Sequence, residues 1–272
     1  MSPAALSDAP VTTGLVVEGL SAHYGDHAAL TNVDLVVPSG TRVAVLGSNG
    51  AGKSTLLNAI SGLVRPTTGT ITLGPHRIDG LPAHKIARKG MCYVPEGRGV
   101  FPDLTVRENL LLSLGSDDAL RDRVFELLPA LANRARRLAG TLSGGEQQML
   151  AVAPALVGTY ELLLIDELSL GLAPLIVEQL YELLIATSSE GKSMIVVEQF
   201  ADRALAIAEV AYVLRKGEVV FSGPASYLAE NPDELHALYI GGGAPSPDRS
   251  PDRGEDIASQ MYPQQSQTRS SP

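Results

Sequence analysis

A glycine-rich segment, GSNGAGKS at residues 47–54, has the residue types and spacing that bind phosphate groups. Gly47, Gly50 and Gly52 let backbone N–H groups converge on phosphate oxygens, and a following helix N-terminus adds partial positive charge. Lys53 can reach the β- and γ-phosphates of a nucleotide, and the Ser54 hydroxyl can bind Mg²⁺. An incidental glycine-rich turn is the alternative, which the apolar run before the segment and the helical pattern after it disfavour. The predicted phosphate-binding set is Gly47, Ser48, Asn49, Gly50, Ala51, Gly52, Lys53, Ser54 and Thr55.

A second chemical element is the acidic end of ELLLIDE at 161–167. The apolar run predicts a buried strand that delivers Asp166 to the sheet edge beside the phosphate loop, where it can hold Mg²⁺ through water. Glu167, one residue further, is positioned to orient or deprotonate an attacking water. Apolar strands that end in Asp-Glu are common, so this prediction depends on the pairing with the phosphate loop.

Between these two elements lies LSGGEQQ at 142–148. A Ser-Gly-Gly turn that opens a helix presents free N–H groups and a helix dipole, a geometry that binds anions. The same residues also fit an ordinary helix start, with Ser143 as the N-cap and Glu146 at capping-box spacing. The residues alone leave both interpretations open, and local physics favours the second.

The elements that must position these groups follow from the apolar pattern. Short apolar runs at 15–20, 33–37, 41–46, 91–94, 161–165, 193–197 and 210–214 predict strands. Helical spacing is seen at about 52–61 and 175–187, and most of 106–156 is helical in pattern. Continuously apolar strands that alternate with helices indicate an α/β fold with a parallel sheet covered on both faces, and 106–156 suggests an inserted helical subdomain.

Composition excludes several classes of protein. The chain has 272 residues and a formal net charge of −9, which argues against a duplex nucleic-acid partner. One cysteine excludes an intramolecular disulfide framework. No apolar run is long enough to span a bilayer, and the N-terminal residues lack a signal-peptide pattern. We therefore expect a soluble intracellular protein with a flexible leader at 1–12, one globular part at 13–240 and a disordered tail at 241–272.

The phosphate loop, LSGGEQQ and LLLIDE, in that order, resemble the ATP-binding subunits of ABC transporters, and the resemblance covers about 13–240. It implies an α/β P-loop NTPase core with a mostly parallel sheet, a small N-terminal antiparallel β region and an inserted α-helical subdomain at about 97–156. The segments VPEGRGVFPDLTVRENL, DELSLGLAP and VVEQF, at 94–110, 166–174 and 196–200, are most similar to the ATPase subunits of branched-chain amino acid importers.

The resemblance also assigns roles to single residues. Tyr24 would stack on adenine, although a turn tyrosine is an equal alternative. Glu96 stands where most of the family has a glutamine that links Mg²⁺ and water to the membrane subunit. Gln199 stands where most members have a histidine on the γ-phosphate, and it joins Glu167 and Lys53 as a catalytic residue. The predicted metal-binding residues are Ser54, Asp166 and Glu96. Ser143, Gly144 and Gly145 would contact ATP held by the opposite protomer of a head-to-tail dimer.

Two positions depart from the family pattern. Pro154 replaces an arginine inside the helix that LSGGEQQ opens, where proline removes a hydrogen bond and costs about 3 kcal/mol. We expect it to kink this helix and weaken dimer closure. Leu168 replaces the proline that usually follows the catalytic glutamate, which removes a restraint from the turn and is expected to loosen it.

The resemblance implies an ATPase, with ATP and Mg²⁺, that energises import of branched-chain amino acids or a related small polar solute. Its partners would be membrane permease subunits, a second ATP-binding subunit (identical or related) and, indirectly, a solute-binding protein, without nucleic acid. The protein would lie peripherally on the cytoplasmic face of the cell membrane. The alternatives are a nucleotide-binding regulatory subunit with poor hydrolysis, an ATPase for another small amide such as urea, and an ATP-gated clamp on DNA or ribosomes. The clamp is disfavoured by the acidic charge and the lack of long insertions.

Overall fold

A computed structural model describes residues 13–97, 99–169, 172–188, 191–198 and 200–241. The predicted leader, Gln199 and all of the predicted tail except Gly241 lie outside these ranges.

The described chain alternates strands and helices, as the apolar pattern predicts. In chain order these elements are β1 (Thr13–Tyr24), β2 (His27–Pro38), β3 (Arg42–Leu46), α1 (Lys53–Ile60), β4 (Thr68–Leu73), β5 (His76–Arg77), α2 (Ala83–Ala87), β6 (Met91–Val94), α3 (Val106–Leu114), α4 (Asp118–Leu127), α5 (Pro129–Ala132), α6 (Gly144–Val157), β7 (Leu162–Asp166), α7 (Pro174–Ser188), β8 (Ser193–Val197), α8 (Ala201–Ile207), β9 (Val210–Arg215), β10 (Glu218–Pro224), α9 (Ala225–Glu230) and α10 (Pro232–Ile240). A 3-10 turn at Ala139–Thr141 precedes α6.

The main sheet is mostly parallel, which confirms the predicted fold class. Its strand order within the described ranges is β10-β9-β3-β8-β7-β6. Neighbouring strands from β9 to β6 pair in parallel, and β10 is an antiparallel edge strand that pairs with β9. Parallel neighbours place their carboxyl ends along one edge of the sheet, so the loops after β3, β8, β7 and β6 meet there.

Alternate side chains of the central strands enter two separate cores. In β3, Val43 and Val45 pack on the side of α1 and the antiparallel sheet, whereas Ala44 and Leu46 pack on the side of α6 and α7. Side chains alternate between the faces of a strand, so a strand covered on both faces must be apolar at every position. The run VAVL at 43–46 has this composition, and its burial holds the following phosphate loop in place.

The second sheet is antiparallel, with the order β2-β1-β4-β5. Its first two strands run for 12 residues each and are longer than the predicted strands at 15–20 and 33–37. Register shifts interrupt the pairing of these two strands, including one between Val17 and Leu20. Each shift breaks the alternation of apolar and polar residues, so the sequence pattern predicts only the regularly paired parts of the strands. The predicted strands do not include β4, β5 or β10, whose residues are largely half-buried or exposed.

The interval between β6 and β7 contains α3 to α6, within the region where the sequence predicts a helical subdomain. Thr105 and Ser143 start α3 and α6 with capping boxes. The helix α6 continues through Pro154 as far as Val157, and the Pro154 carbonyl accepts a hydrogen bond from Gly158. No helix of the described ranges is long and apolar enough to cross a membrane.

Candidate nucleotide site

Two glycines fix the shape of the loop between β3 and α1. Gly47 has φ +153°, and a Cβ there would lie 2.4 Å from the carbonyl oxygen of Leu214. Gly52 has φ +105° at the start of α1, and a Cβ there would lie 2.7 Å from the carbonyl oxygen of Ala29. Any larger residue would displace the backbone at both positions. The loop therefore packs against β2 and the β9–β10 turn, while its remaining residues curve around the cleft.

Lys53, the first residue of α1, is 5% exposed. Its Nζ donates hydrogen bonds to the carbonyl oxygens of Gly47 at 2.9 Å and Ser48 at 3.3 Å. Burial lowers the pKa of Lys53, and the negative charges of Glu167, Asp166 and Glu96 oppose this shift. A cation thus lies at the base of the phosphate loop among three acidic side chains.

Asp166, at the end of β7, fits its predicted role as a residue that holds a divalent cation. It is 1% exposed, and Oδ1 has no hydrogen-bond partner among the described residues. The hydroxyl of Tyr93 lies 3.4 Å from Oδ2 of Asp166 and 3.1 Å from Oδ1 of Asn58. Burial raises the pKa of Asp166, and the Ser54 hydroxyl is the first of the groups that oppose this. An unpartnered buried carboxylate oxygen near a hydroxyl is suited to the hard oxygen coordination of Mg²⁺.

Glu167 follows Asp166 with a left-handed backbone, φ +47°, a conformation that costs about 1–3 kcal/mol for a residue with a side chain. Its N–H donates to the carbonyl oxygen of Val197 at 2.9 Å. Burial raises the pKa of Glu167, and the charge of Glu96 adds to the shift. A raised pKa makes the ionised carboxylate a stronger base for a proton from water.

The turn after Glu167 is anchored without the usual family proline. The side chain of Leu168 has no solvent exposure and packs in the core with α6 and α7. Ser169 is bound through its backbone and hydroxyl to Glu198. These contacts oppose the loosening expected from the replacement, whose effect on activity stays a prediction.

A cleft of about 820 Å³ joins most of the predicted residues. The predicted residues that line it are Tyr24, Asn49, Gly50, Gly52, Lys53, Ser54, Thr55, Glu96 and Glu167. Tyr24 is 52% exposed at the end of β1, so its ring is open to a planar ligand. Gly47, Ser48 and Ala51 belong to the same loop without lining the cleft, and Asp166 is buried beside it.

Sequence reasoning missed four residues that line the cleft: His27, Ala28, Ala29 and Lys216. The turn of Lys216 and Gly217 connects β9 to β10, and both residues have positive φ. The N–H of Gly217 donates to Ala51 at 2.9 Å, so the hairpin is attached to the phosphate loop. A glycine between the apolar runs VAYVLR and EVVFSG was the available signal for this turn.

The segment that begins α6 lies apart from this cleft. Ser143, Gly144 and Gly145 are not among the residues that line it. The predicted capping box is confirmed, since Ser143 Oγ accepts the N–H of Glu146 at 3.3 Å and Glu146 Oε2 accepts the N–H of Ser143 at 2.9 Å. The anion-binding interpretation of these residues stays a prediction.

This fold and site define a P-loop nucleotide-binding protein, and comparisons with known proteins identify the family. The profile described as ABC transporter matches residues 30–169. The high-affinity branched-chain amino acid transport ATP-binding protein BraG of Pseudomonas aeruginosa is 43% identical over 233 residues, which are 84% of this chain and 100% of that protein. The probable branched-chain amino acid transport ATP-binding protein LivF of Archaeoglobus fulgidus is 38% identical over 228 residues, covering 82% and 96%.

Solved structures agree with this assignment. An ATP-binding subunit of an ABC transporter superposes with a TM-score of 0.74 at 28% identity and covers 84% of this chain and 99% of its own. A dimeric bacterial ABC transporter cassette gives a TM-score of 0.70 at 28% identity, with 78% and 98% covered. The chain belongs to the ABC transporter family as an ATP-binding subunit, and it is an ATPase.

Proposed function

We propose that this ATPase energises an importer of branched-chain amino acids or a related small polar solute. The observation that carries the proposal is that Lys53 and Glu167 line one cleft at the carboxyl edge of the sheet, with the charge of the buried Asp166 acting on Lys53. The cargo assignment is supported by the two branched-chain amino acid relatives, which this chain matches over nearly their full lengths.

In the proposed binding mode, the phosphate loop and the start of α1 hold the triphosphate of ATP. Lys53 exchanges its bonds with Gly47 and Ser48 for phosphate oxygens, and Tyr24 stacks on adenine. Ser54, Asp166 and Glu96 would hold Mg²⁺, directly or through water. When bound, this ion neutralises charge on the β- and γ-phosphates.

In the proposed hydrolytic step, Glu167 accepts a proton from the water that attacks the γ-phosphorus, with ADP as the leaving group. Its raised pKa favours proton transfer, and its position beside Lys53 sets it at the phosphate end of the cleft. Gln199 would donate a neutral hydrogen bond to the γ-phosphate, because an amide cannot become cationic as histidine can.

The proposed working unit contains a second ATP-binding subunit, identical or related. Its Ser143, Gly144 and Gly145 would approach the γ-phosphate bound by the first subunit, which agrees with their separation from the cleft of their own chain. The dimeric form of one structural relative supports a paired working unit. Permease subunits would bind near 97–110 and hold the protein on the cytoplasmic face of the cell membrane, and a solute-binding protein would act through them.

A hydrolysis-poor regulatory subunit is the second candidate, and Pro154 within α6 is the observation that favours it. The two candidates differ in one measurable quantity, the steady-state rate of ATP hydrolysis. An importer of a small amide, such as urea, would also hydrolyse ATP and would differ in the solute whose loaded binding protein stimulates the assembled transporter.

Replacement of Glu167 by Gln tests the proposed function. We expect the purified wild type to hydrolyse ATP, and Glu167→Gln to be slower by about 10²- to 10⁴-fold because the proton acceptor is lost. Size-exclusion chromatography in ATP should show a dimer of the variant, since binding is retained. Glu178→Gln, at an exposed position of α7, is the matched control and should keep the wild-type rate. Wild-type turnover by Glu167→Gln would refute the assigned role, and a wild type without turnover would favour the regulatory subunit.

A further inference from the structure

Glu198 is a buried carboxylate that the nucleotide site does not explain. It directly follows β8, has no solvent exposure and is not among the residues that line the cleft. A carboxylate removed from water is costly unless hydrogen-bond donors or cations surround it. The hydrogen-bond donors around Glu198 therefore indicate which parts of the structure it holds in place.

Three donors from two neighbouring segments meet this carboxylate. The backbone N–H of Ser169 donates to Oε1 at 3.1 Å, and Ser169 Oγ donates to Oε2 at 2.6 Å. The hydroxyl of Tyr181, on α7, donates to Oε1 at 2.5 Å. Burial, reinforced by the charge of Glu198, raises the pKa of Tyr181, so this phenol stays protonated and remains a donor.

These hydrogen bonds attach the turn of residues 167–169 to the carboxyl end of β8. At the start of the turn, the N–H of Glu167 donates to Val197; two residues later, Ser169 is bound twice by Glu198. Val197 and Glu198 are consecutive, so the end of β8 holds both sides of Glu167. The left-handed backbone of Glu167 requires such a restraint, because a strained conformation persists only where its surroundings impose it.

We propose that Glu198 is a positioning residue for Glu167: by binding Ser169 and Tyr181 it fixes the turn that aims the Glu167 carboxylate into the cleft. The inference rests on the proposed role of Glu167 in hydrolysis. Glu198 acts through the backbone of the turn and leaves the phosphate loop untouched. Its loss therefore slows the chemical step and leaves ATP binding unchanged.

Two substitutions at Glu198 separate geometry from charge. Glu198→Ala removes all three acceptor contacts, and we expect kcat to fall about 10- to 100-fold, the effect of a misplaced catalytic group, while KM for ATP changes less than about threefold. Glu198→Gln keeps an acceptor for the Ser169 N–H and Tyr181, and its amide can donate to Ser169 Oγ. We expect this variant to keep kcat within about threefold of wild type.

A pair of tyrosine variants controls for a purely structural effect. Tyr181→Phe removes one bond to Glu198 and should lower kcat about three- to tenfold. Tyr212→Phe removes a comparably buried hydroxyl, which bonds Val36 on β2 far along the chain from the turn, and should lower only the melting temperature. If Glu198→Ala does not fold, the positioning role is tested by comparing kcat of Tyr181→Phe with kcat of Tyr212→Phe.

Three results would overturn the positioning role: wild-type kcat in Glu198→Ala, equal kcat losses in Tyr181→Phe and Tyr212→Phe, or a Glu198→Gln variant as slow as Glu198→Ala. Glu167→Gln is measured alongside. Full activity of that variant would overturn the proposed role of Glu167 in hydrolysis, whereas an inactive Glu167→Gln with a fully active Glu198→Ala would remove only the present inference.

Discussion

At the scale of single residues, Glu146 shows how one side chain serves the start of α6. Its Oε2 accepts hydrogen bonds from the N–H and hydroxyl of Ser143, and its Oε1 accepts one from Nε of Arg134 at 3.0 Å. The Ser143 N–H, more than the other donors, lowers the pKa of Glu146 below 4.5. A carboxylate with a lowered pKa in the folded state stabilises the fold when it is ionised.

This linkage predicts a pH-dependent stability difference between the wild type and Glu146→Gln. The glutamine keeps a capping oxygen and loses the charge, so its melting temperature should be lower at pH 7 by a few degrees. The stabilisation by Glu146 is present above pH 4.5, the unfolded value, and is lost as pH falls through the lower folded pKa. Thermal unfolding from pH 7 to 4 measures it. Glu126→Gln breaks an exposed ion pair with Arg123 and should show almost no difference.

Residues within continuous motifs could be predicted, because their chemistry depends on spacing along the chain. Lys53, Asp166 and Glu167 are of this kind, and the structure places them together. The places of Tyr93 and Lys216 at the site could not be predicted, because each depends on the parallel pairing of strands distant in sequence, β6 with β7 and β3 with β9. Glu198 was visible only as a member of VVEQF, and its meaning comes from contacts with Ser169 and Tyr181.

At the scale of elements, the strands of the parallel sheet could be predicted better than those of the antiparallel sheet. Strands buried on both faces, such as β3, β7 and β8, have apolar runs that mark their bounds. The strands β4 and β10 are only partly buried, so their apolar signal is weak. The sequence pattern predicts helix for the region between β6 and β7. It does not predict the helix ends at Gly115 and Leu128, which depend on local backbone geometry.

The helix α6 carries the element-scale prediction, since Pro154 lies in its interior. Proline has no N–H to donate to the Leu150 carbonyl, so Pro154→Ala should stabilise the protein by about 1–3 kcal/mol. For a chain of this size that is several degrees in melting temperature. If Pro154 also weakens dimer closure, Pro154→Ala and Pro154→Arg should raise the ATPase rate. Pro232→Ala is the control, because Pro232 lies in the first turn of α10, where proline is favourable. Unchanged melting temperature and rate in both Pro154 variants would refute this account.

At the scale of the whole molecule, the nucleotide cleft and the start of α6 lie apart within one chain. The cleft contains Lys53, Glu96 and Glu167, whereas Ser143 is an exposed N-cap that does not line it. In the proposed head-to-tail pair of chains, the cleft of one copy would face the α6 start of the other, and twofold symmetry would complete both sites at once. A site within one chain would leave the start of α6 without a role in hydrolysis.

Mixing two inactive variants distinguishes these arrangements. Lys53→Ala lacks a working phosphate loop, and Ser143→Arg blocks the start of α6, so each alone should be inactive. In a mixed dimer, the cleft of the Ser143→Arg chain faces the intact Ser143 of the Lys53→Ala chain, which restores one of two sites. Random pairing makes half of the dimers mixed, so about a quarter of the wild-type rate should return. The control is a mixture of Lys53→Ala with the double variant, which contains no complete site. If chromatography shows mixed dimers and no activity returns, the proposed sharing of sites between copies is wrong.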